Sequence, residues 1–384
     1  MRFEFATATR IIFGEGTIQE AGSIAASIGK RAFVVTANAV ETAQPLLEAL
    51  RKSKIEYRTT MASGEPTTAT VKTAVEQARQ TASDMVIAIG GGSAIDTGKV
   101  VAAMLTNAGQ VEDYLEVVGP GQPLTQHPAP YIAIPTTAGT GAEVTRNAVL
   151  AVPEHGVKVS MRSSLLLARL ALVDPELTYS MPASVTAGTG LDALTQLMEA
   201  YVSNQANPLT DGICREGLER AARSLRMAYE EPHNVPARRD MSLASLFGGL
   251  ALANAKLGAV HGFAGPIGGM ISAAHGVICA SLLPSVMQVN VRALQNRAAD
   301  SQSLERYDQV ARILTSRANA TADDGVRWVQ ELCGVLKVEP LGKLGLKQTA
   351  LPEAVARSQN SSSMKGNPIL LSQEELKQIL MMSL

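Results

Sequence analysis

A buried-strand pattern that runs without a break into three glycines limits this chain more than any other feature. Residues 84–89 (DMVIAI) form an apolar run, Gly90-Gly91-Gly92-Ser93 follows at once, and a helical stretch opens at Ala94. Glycines without a Cβ let the backbone approach an anion closely. A helix N-terminus adds unpaired N–H groups and a partial positive charge. Together they make an anion site, suited to a pyrophosphate, at the carboxyl edge of a parallel strand. The alternative is a tight βα turn that holds no ligand. The motif is not GxGxxG and follows the third strand-like run, not the first, so a dinucleotide site here belongs to a different lineage from the Rossmann fingerprint. A second segment, 135–143 (PTTAGTGAE), follows the next strand-like run. Its threonine hydroxyls and glycine amides would line the same cleft; taken alone, such a loop reads as a capped turn.

The surrounding grammar extends this unit into a domain. Strand-like runs at 31–36, 57–61, 84–89 and 131–134 alternate with helical stretches at 46–52, 69–81 and 94–105. That alternation implies βαβ units and a parallel sheet. After Asp174-Pro175 strand-like runs almost vanish, and helical spacing appears at 184–201, 208–229, 241–255, 307–315 and 323–336. The expected architecture is an N-terminal Rossmann-like α/β domain over 1–175 and a C-terminal all-helical domain over 176–384. A length of 384 residues suits two domains of roughly 100–200 residues each.

Composition narrows the class. The formal net charge is −1, which recommends neither nucleic acid nor an anionic membrane as a partner. Cys214, Cys279 and Cys333 are odd in number and lack CxxC spacing, so they read as buried thiols in a reducing compartment. The N-terminal run MRFEFATATRIIFGEG has no apolar core of the secretory kind, and no signal peptide is expected. The apolar stretches at 165–173 and 277–286 fall short of the roughly 18 residues a membrane span needs. A cytoplasmic enzyme is the expected class.

The helical half carries a second constellation. Asp192 and Gln196 stand four residues apart in LDALTQLMEAYV, on one helix face. His261 and His275 lie fourteen residues apart, each followed by glycine. A carboxylate, an amide and two imidazoles can coordinate a divalent cation such as Fe(II) or Zn(II). Such a metal acts as a Lewis acid that polarises a carbonyl for hydride attack. Each residue also has a plainer reading: a cap, a hydrogen-bonded buried amide, a satisfied core histidine. Glu199 shares the face and is a weaker ligand candidate. His127, His155 and His233 sit in loop-like segments and read as surface residues.

The runs AIGGGSAIDTGK, IPTTAGTGAEVT and LDALTQLMEAYVS, with the two His-Gly pairs, occur in the order found in iron-containing alcohol dehydrogenases. The chain resembles that family from Phe13-Gly14-Glu15-Gly16 to Lys365-Gly366-Asn367-Pro368. The resemblance implies a dehydroquinate-synthase-like fold, with a metal in the cleft between an α/β and a helical domain. It implies NAD or NADP as cofactor, an alcohol or aldehyde as small-molecule substrate, and a homodimer. By the family pattern Gly91, Gly92, Ser93 and Asp96 fall in the pyrophosphate region. Thr136, Thr137 and Thr140 line the cofactor cleft, and Lys158 approaches the nicotinamide ribose. The metal ligands fall on Asp192, Gln196, His261 and His275, with Asp192, His261 and His275 central to catalysis.

Three positions depart from the pattern. Gln196 stands where histidine is usual; an amide oxygen is a harder donor than imidazole, so weaker or differently selective metal binding is expected. Gly265 stands where many members have a further histidine, so proton transfer must use water or another side chain. Ala37, in Val35-Thr36-Ala37-Asn38, stands where NAD-preferring members often have aspartate, and NADP use is therefore expected. Competing readings are a metal-independent maleylacetate-reductase-like enzyme, a dehydroquinate-synthase-like lyase, and a binding protein without turnover. The segments 147–150, 247–257 and 263–274 are mostly small or apolar and point to an uncharged substrate.

Overall fold

A computed structural model describes residues 2–37 and 40–384. The first elements are β1 (Ile11–Phe13), α1 (Ala21–Ala26), β2 (Arg31–Thr36), α2 (Val40–Lys52), β3 (Glu56–Met61), α3 (Thr68–Gln80), β4 (Met85–Gly90) and α4 (Gly92–Thr106). After them come β5 (Tyr131–Pro135), β6 (Asn147–Val152), β7 (Val157–Arg162) and β8 (Leu170–Val173). Six strands form one sheet in the order β1-β8-β5-β4-β2-β3, and each neighbouring pair is parallel. β4 and β5 are buried at every residue, as strands covered on both faces must be. From β2 the chain moves outward to β3, then crosses back to β4 on the other side of β2. The carboxyl ends of β2 and β4 therefore flank the point where strand order reverses, which is where open α/β sheets bind ligands.

This is the parallel α/β architecture expected, with one difference in count. The strand before the glycine turn is the fourth, because Ile11–Phe13 pairs in parallel with β8, Ile11 opposite Ala171. Three residues whose partner lies 160 positions away carry no local periodicity. The antiparallel β6–β7 hairpin was likewise not expected.

The helical elements are α5 (Ala183–Val202), α6 (Pro208–Glu230), α7 (Val235–Asn254), α8 (Ala259–Met270), α9 (His275–Arg297), α10 (Gln302–Thr315), α11 (Ala322–Val335), α12 (Leu351–Ser358) and α13 (Gln373–Ser383). α5, α6 and α11 match the expected segments closely. α7 begins earlier than expected, where Asn234 accepts a hydrogen bond from the Ala237 amide and Pro236 sits in the first turn. α8 and α9 were not among the expected helical segments. α8 contains Pro266 and four glycines, a composition of poor helix propensity. Its formation depends on partners elsewhere in the chain, described below. α9 is long and apolar enough to cross a membrane, yet most of it is buried against α5, α8, α11 and α13.

Two compact units divide the chain. One comprises Ala6–Thr137 and Gly141–Tyr179; the other comprises Met1–Phe5, Ala138–Thr140 and Ser180–Leu384. In the sheet unit, Val34, Ile87, Ile132 and Leu172 pack with Leu46, Leu50 and Ala21 from α2 and α1. In the helical unit α5 is the central rod, with sixteen of its twenty residues buried. A helix enclosed on all sides must satisfy every polar group it carries. Asp192, Gln196 and Glu199 therefore need partners.

Candidate functional site

The carboxylate and carboxamide side chains of α5 stand at positions 192, 196 and 199, on one face. All three are buried, Asp192 being 1% exposed, Gln196 2% and Glu199 6%. Glu199 is the simplest to explain. Its Oε1 accepts the Val260 amide at 2.6 Å, and its Oε2 accepts the His261 amide at 3.4 Å. The Asn367 side-chain oxygen accepts the Ala259 amide at 3.1 Å. The first turn of α8 thus closes on a carboxylate and a carboxamide from distant segments, which offsets its poor propensity. Gly258 makes this closure possible: a Cβ there would lie 2.9 Å from Glu199 Oε1 and 3.0 Å from Asn367 Oδ1.

Glu199 also sets the chemistry of His261. Its Oε2 lies 2.7 Å from His261 Nδ1. An ionised carboxylate only accepts, so Nδ1 carries a proton, and Nε2 is the ring atom left to a metal that would displace the second proton. This is the carboxylate–histidine arrangement that fixes the tautomer of metal-binding imidazoles. Glu199 was a candidate ligand by sequence; the structure places it at the opposite ring nitrogen instead.

His261 Nε2 lies 3.3 Å from Asp192 Oδ1, and among the described residues neither atom makes a hydrogen bond that would satisfy it in its buried position. Gln196 repeats the pattern. Its Nε2 donates to the Gly139 carbonyl at 3.2 Å, which orients the amide, and its Oε1 is buried without a partner. Three unpaired buried polar atoms on two neighbouring segments would be costly if nothing bound them. His275, at the first position of α9, brings its Nε2 to 3.9 Å from Asp192 Oδ1. It reaches this point because α9 approaches α5 closely: a Cβ on Gly276 would lie 2.6 Å from the Gly188 carbonyl oxygen. One ligand atom each from Asp192, His261, His275 and Cys279 lies within 4.8 Å of all the others.

The local field favours a cation at this point. Burial alone would raise the Asp192 carboxyl, but its contact with His261 and the charges of His275 and His261 hold it below its ordinary value. Burial pulls His261 down, yet Cys279, Asp192 and Glu199 outweigh it and keep the imidazole well above its usual range. His275 is pushed up to about 9, first by the Cys279 sulfur and, against burial, by its hydrogen bond to Cys279 and the Asp192 charge. A donor set of carboxylate, amide oxygen and two imidazoles has the chemistry that suits a divalent first-row metal. His127, His155 and His233 are exposed, also as expected. Cys279 had been read as a buried thiol, and it is one. Its signal was the i, i+4 spacing from His275, which acquires meaning only once a helix is known to begin at His275.

In the sheet unit, β4 ends at Gly90, whose φ of +156° suits glycine, and a Cβ there would lie 2.7 Å from Ala94 Cβ and 2.9 Å from Ala37 Cβ. Gly91 is the N-cap of α4 and offers no side chain, so the first-turn amides of Gly92, Ser93 and Ala94 face outward beyond the helix ladder. A Cβ on Gly91 would lie 3.4 Å from Thr137 Cγ2 and Oγ1, so the GGGS turn and the second loop are neighbours, as the sequence reading required. Thr136 is buried, its amide donating to the Gly90 carbonyl at 3.0 Å. Thr140 lies just beyond, in the segment grouped with the helical unit. Ala37 donates its amide to the Ile89 carbonyl at 3.1 Å, at the switch point. Asn38 lies outside the described residues.

Asp96 and Lys158 are held by the protein itself. Asp96 Oδ2 accepts the Val149 amide at 3.0 Å, and Oδ1 lies 3.5 Å from the fully buried Lys99 ammonium. Lys99 also donates to Thr145 Oγ1 at 2.8 Å and the Asn147 carbonyl at 2.7 Å. The Asp96–Lys99 pair thereby ties α4 to the β6–β7 hairpin. Lys158, on β7, pairs with Glu65 at 3.1 Å.

Comparison with known proteins places both halves of the chain in one family. The family model described as iron-containing alcohol dehydrogenase matches residues 8–175, and that of the Fe-containing alcohol dehydrogenase family, C-terminal, matches 186–384. A choline dehydrogenase of Bacillus subtilis is 31% identical over 369 residues, covering 95% of this chain and 90% of that protein. The crystal structure of a 1,3-propanediol oxidoreductase superposes with a TM-score of 0.93 at 30% identity, covering all of both chains. A sulfoacetaldehyde reductase of Bifidobacterium kashiwanohense, solved with NAD+, superposes with a TM-score of 0.87 at 28% identity over 100% of this chain and 99% of that one. The chain is an oxidoreductase of the iron-containing alcohol dehydrogenase family.

Proposed function

We propose that this protein is a metal-dependent, nicotinamide-linked alcohol dehydrogenase that also works as an aldehyde or ketone reductase. The observation that carries the reading is the set of buried, unpaired atoms on Asp192, Gln196 and His261, with His275 Nε2 3.9 Å from the Asp192 oxygen. Asp192, Gln196, His261 and His275 would hold one divalent ion, Fe(II) or Zn(II). When bound, that ion supplies Lewis acidity, which favours the negative charge that develops on the substrate oxygen during hydride transfer. Asp192 contributes the negative charge of the donor set, and Glu199 keeps His261 in the tautomer that exposes Nε2. The amides of Gly91, Gly92 and Ser93 cradle the cofactor pyrophosphate. Thr136, Thr137 and Thr140 flank the cofactor, and Lys158 reaches its ribose. Asp96 supports the cradle from the buried side of α4.

Gly265 bears on proton transfer. A Cβ built there meets no atom within 4 Å. That space would admit water, which would carry the proton to or from the substrate oxygen. Ala37 presents no carboxylate at the strand end, so both NAD and NADP are accepted. We further read the protein as a cytoplasmic homodimer acting on small uncharged alcohols and aldehydes.

The test is metal analysis of protein purified without chelator, joined to NAD(P)H turnover on aldehydes of varied length. His275→Ala should lose bound metal and turnover while keeping cofactor affinity. Gln196→His should bind metal at least as tightly as the wild type. Full wild-type turnover after exhaustive chelation, with no metal detected, would overturn the reading. It would favour the metal-independent maleylacetate-reductase-like alternative, which Gln196 and Gly265 also fit.

A further inference from the structure

We infer that Cys279 is an additional donor to this metal centre, supplying a sulfur ligand to offset the imidazole missing at position 196. The inference rests on the metal-dependent reading above and adds to its four ligands.

Cys279 lies one turn beyond His275 on α9 and is fully buried. Its Sγ is 3.6 Å from His275 Nε2 and within 4.8 Å of the nearest ligand atoms of Asp192 and His261. The spacing suits a shared ion. With metal–sulfur bonds of about 2.3 Å and metal–nitrogen or metal–oxygen bonds of about 2.0–2.2 Å, two donors on one ion separated by an angle of about 110° stand roughly 3.3–3.6 Å apart. The observed Sγ–Nε2 distance of 3.6 Å and the Nε2–Oδ1 distance of 3.3 Å between His261 and Asp192 fall in that range. The 3.9 Å between His275 Nε2 and Asp192 Oδ1 corresponds to a wider angle at the same point.

The other two cysteines provide the contrast. Cys333 donates its S–H toward the Ala280 carbonyl at 3.9 Å, and Cys214 is buried on α6. Neither belongs to the cluster that Asp192, His261 and His275 form with Cys279. The atoms facing Cys279 are also unusual: Asp192 Oδ1 and His261 Nε2 are buried polar atoms without hydrogen-bond partners. A sulfur that served only as packing would gain nothing from that company.

The chemistry gives the sulfur a distinct consequence. Thiolate is a soft donor, and the amide oxygen of Gln196 is a hard one. Exchanging an imidazole for an amide weakens a site for late first-row metals; adding a thiolate strengthens it again. On binding, the thiol proton goes to solvent and the sulfur lone pair goes to the metal, with no change of oxidation state. Two anionic donors, Asp192 and Cys279, then balance the charge of a divalent ion.

Co(II) reports on this directly, because thiolate ligation gives an intense near-ultraviolet charge-transfer band that oxygen and nitrogen donors do not give. Metal-free full-length protein is titrated with Co(II), and the spectrum is recorded at one equivalent. The expected result is visible d–d bands together with the charge-transfer band. Cys279→Ser should lose that band while retaining d–d bands, and should bind Co(II) at least about tenfold more weakly. Cys333→Ser, which removes another buried thiol outside the cluster, should keep the band. Wild-type d–d bands without charge transfer would overturn the sulfur ligand while leaving the four-residue metal site intact. Folded protein that binds no Co(II) at all would overturn both. The wild-type spectrum decides the matter even if Cys279→Ser does not fold.

Discussion

Glu199 Oε2 lies 2.7 Å from Nδ1 of His261, while Asp192 Oδ1 lies 3.3 Å from Nε2 of the same ring. One imidazole therefore joins a carboxylate that only orients it to a carboxylate that would share its metal. Both carboxylates come from α5, seven residues apart.

Glu199→Gln should lower metal affinity about 10–100-fold, the usual cost of altering a group that orients a metal-binding histidine. Cofactor affinity should be unchanged, because the GGGS cradle lies in a different compact unit. Competition with a chromophoric chelator measures the metal constant. Wild-type metal affinity in the folded variant would show that Glu199 serves only to cap α8.

Gly91→Val and Gly90→Ala should fail in different ways. At Gly91 the backbone is extended (φ −75°) and a Cβ meets Thr137 at an ordinary 3.4 Å, so the valine variant should fold. Its methyl groups would occupy the phosphate cradle and raise the NAD(P)H dissociation constant more than tenfold, or about 1.4 kcal/mol. At Gly90 a Cβ would lie 2.7 Å from Ala94 Cβ, at a positive φ, so alanine should cost about 1–3 kcal/mol of stability. Fluorescence titration and thermal denaturation distinguish the two; an unaltered dissociation constant for Gly91→Val would remove this turn as the cofactor site.

Ala37→Asp should depress NADPH use far more than NADH use. The residue sits at the carboxyl end of β2, with its Cβ close to the Gly90 turn. A carboxylate there repels a 2′-phosphate and accepts hydrogen bonds from ribose hydroxyls. The ratio of kcat/KM for the two cofactors is the readout. Complete rejection of NADPH by the wild type would contradict this assignment.

Glu143 should make stability fall as pH rises toward neutrality. Burial pushes its carboxyl up to about 7, well above its ordinary 4.5 and against the opposing pull of Lys99. The folded state then holds a proton that the unfolded chain has released between those values, so unfolding free energy decreases with pH across that window. The penalty is complete above pH 7 and absent below the unfolded value. Glu143→Gln should flatten this part of the profile, by on the order of 3 kcal/mol at pH 8. Urea denaturation at pH 5 and pH 8 checks it; identical pH differences in wild type and variant would exclude Glu143 as the cause.

Local pattern alone determined the parallel α/β block, the helical block and the glycine turn between strand and helix. Each depends on short-range chemistry: side-chain periodicity, the missing Cβ of glycine, the free amides at a helix start. The pairing of Asp192 with Gln196 was legible for the same reason, since four residues on a helix fix a shared face. Tertiary structure decided what no local window contains. Ile11–Phe13 is a strand only because β8 lies beside it, and α8 is a helix only because Glu199 and Asn367 close its first turn. The role of Glu199 at Nδ1, rather than at a metal, depends on the rotation of His261 about α8. Cys279 joins the site because α9 starts at His275 and meets α5 at Gly276 and Gly188, a contact between segments nearly ninety residues apart. Burial supplied the last part: three polar atoms became candidates for a ligand only when enclosure took water away from them.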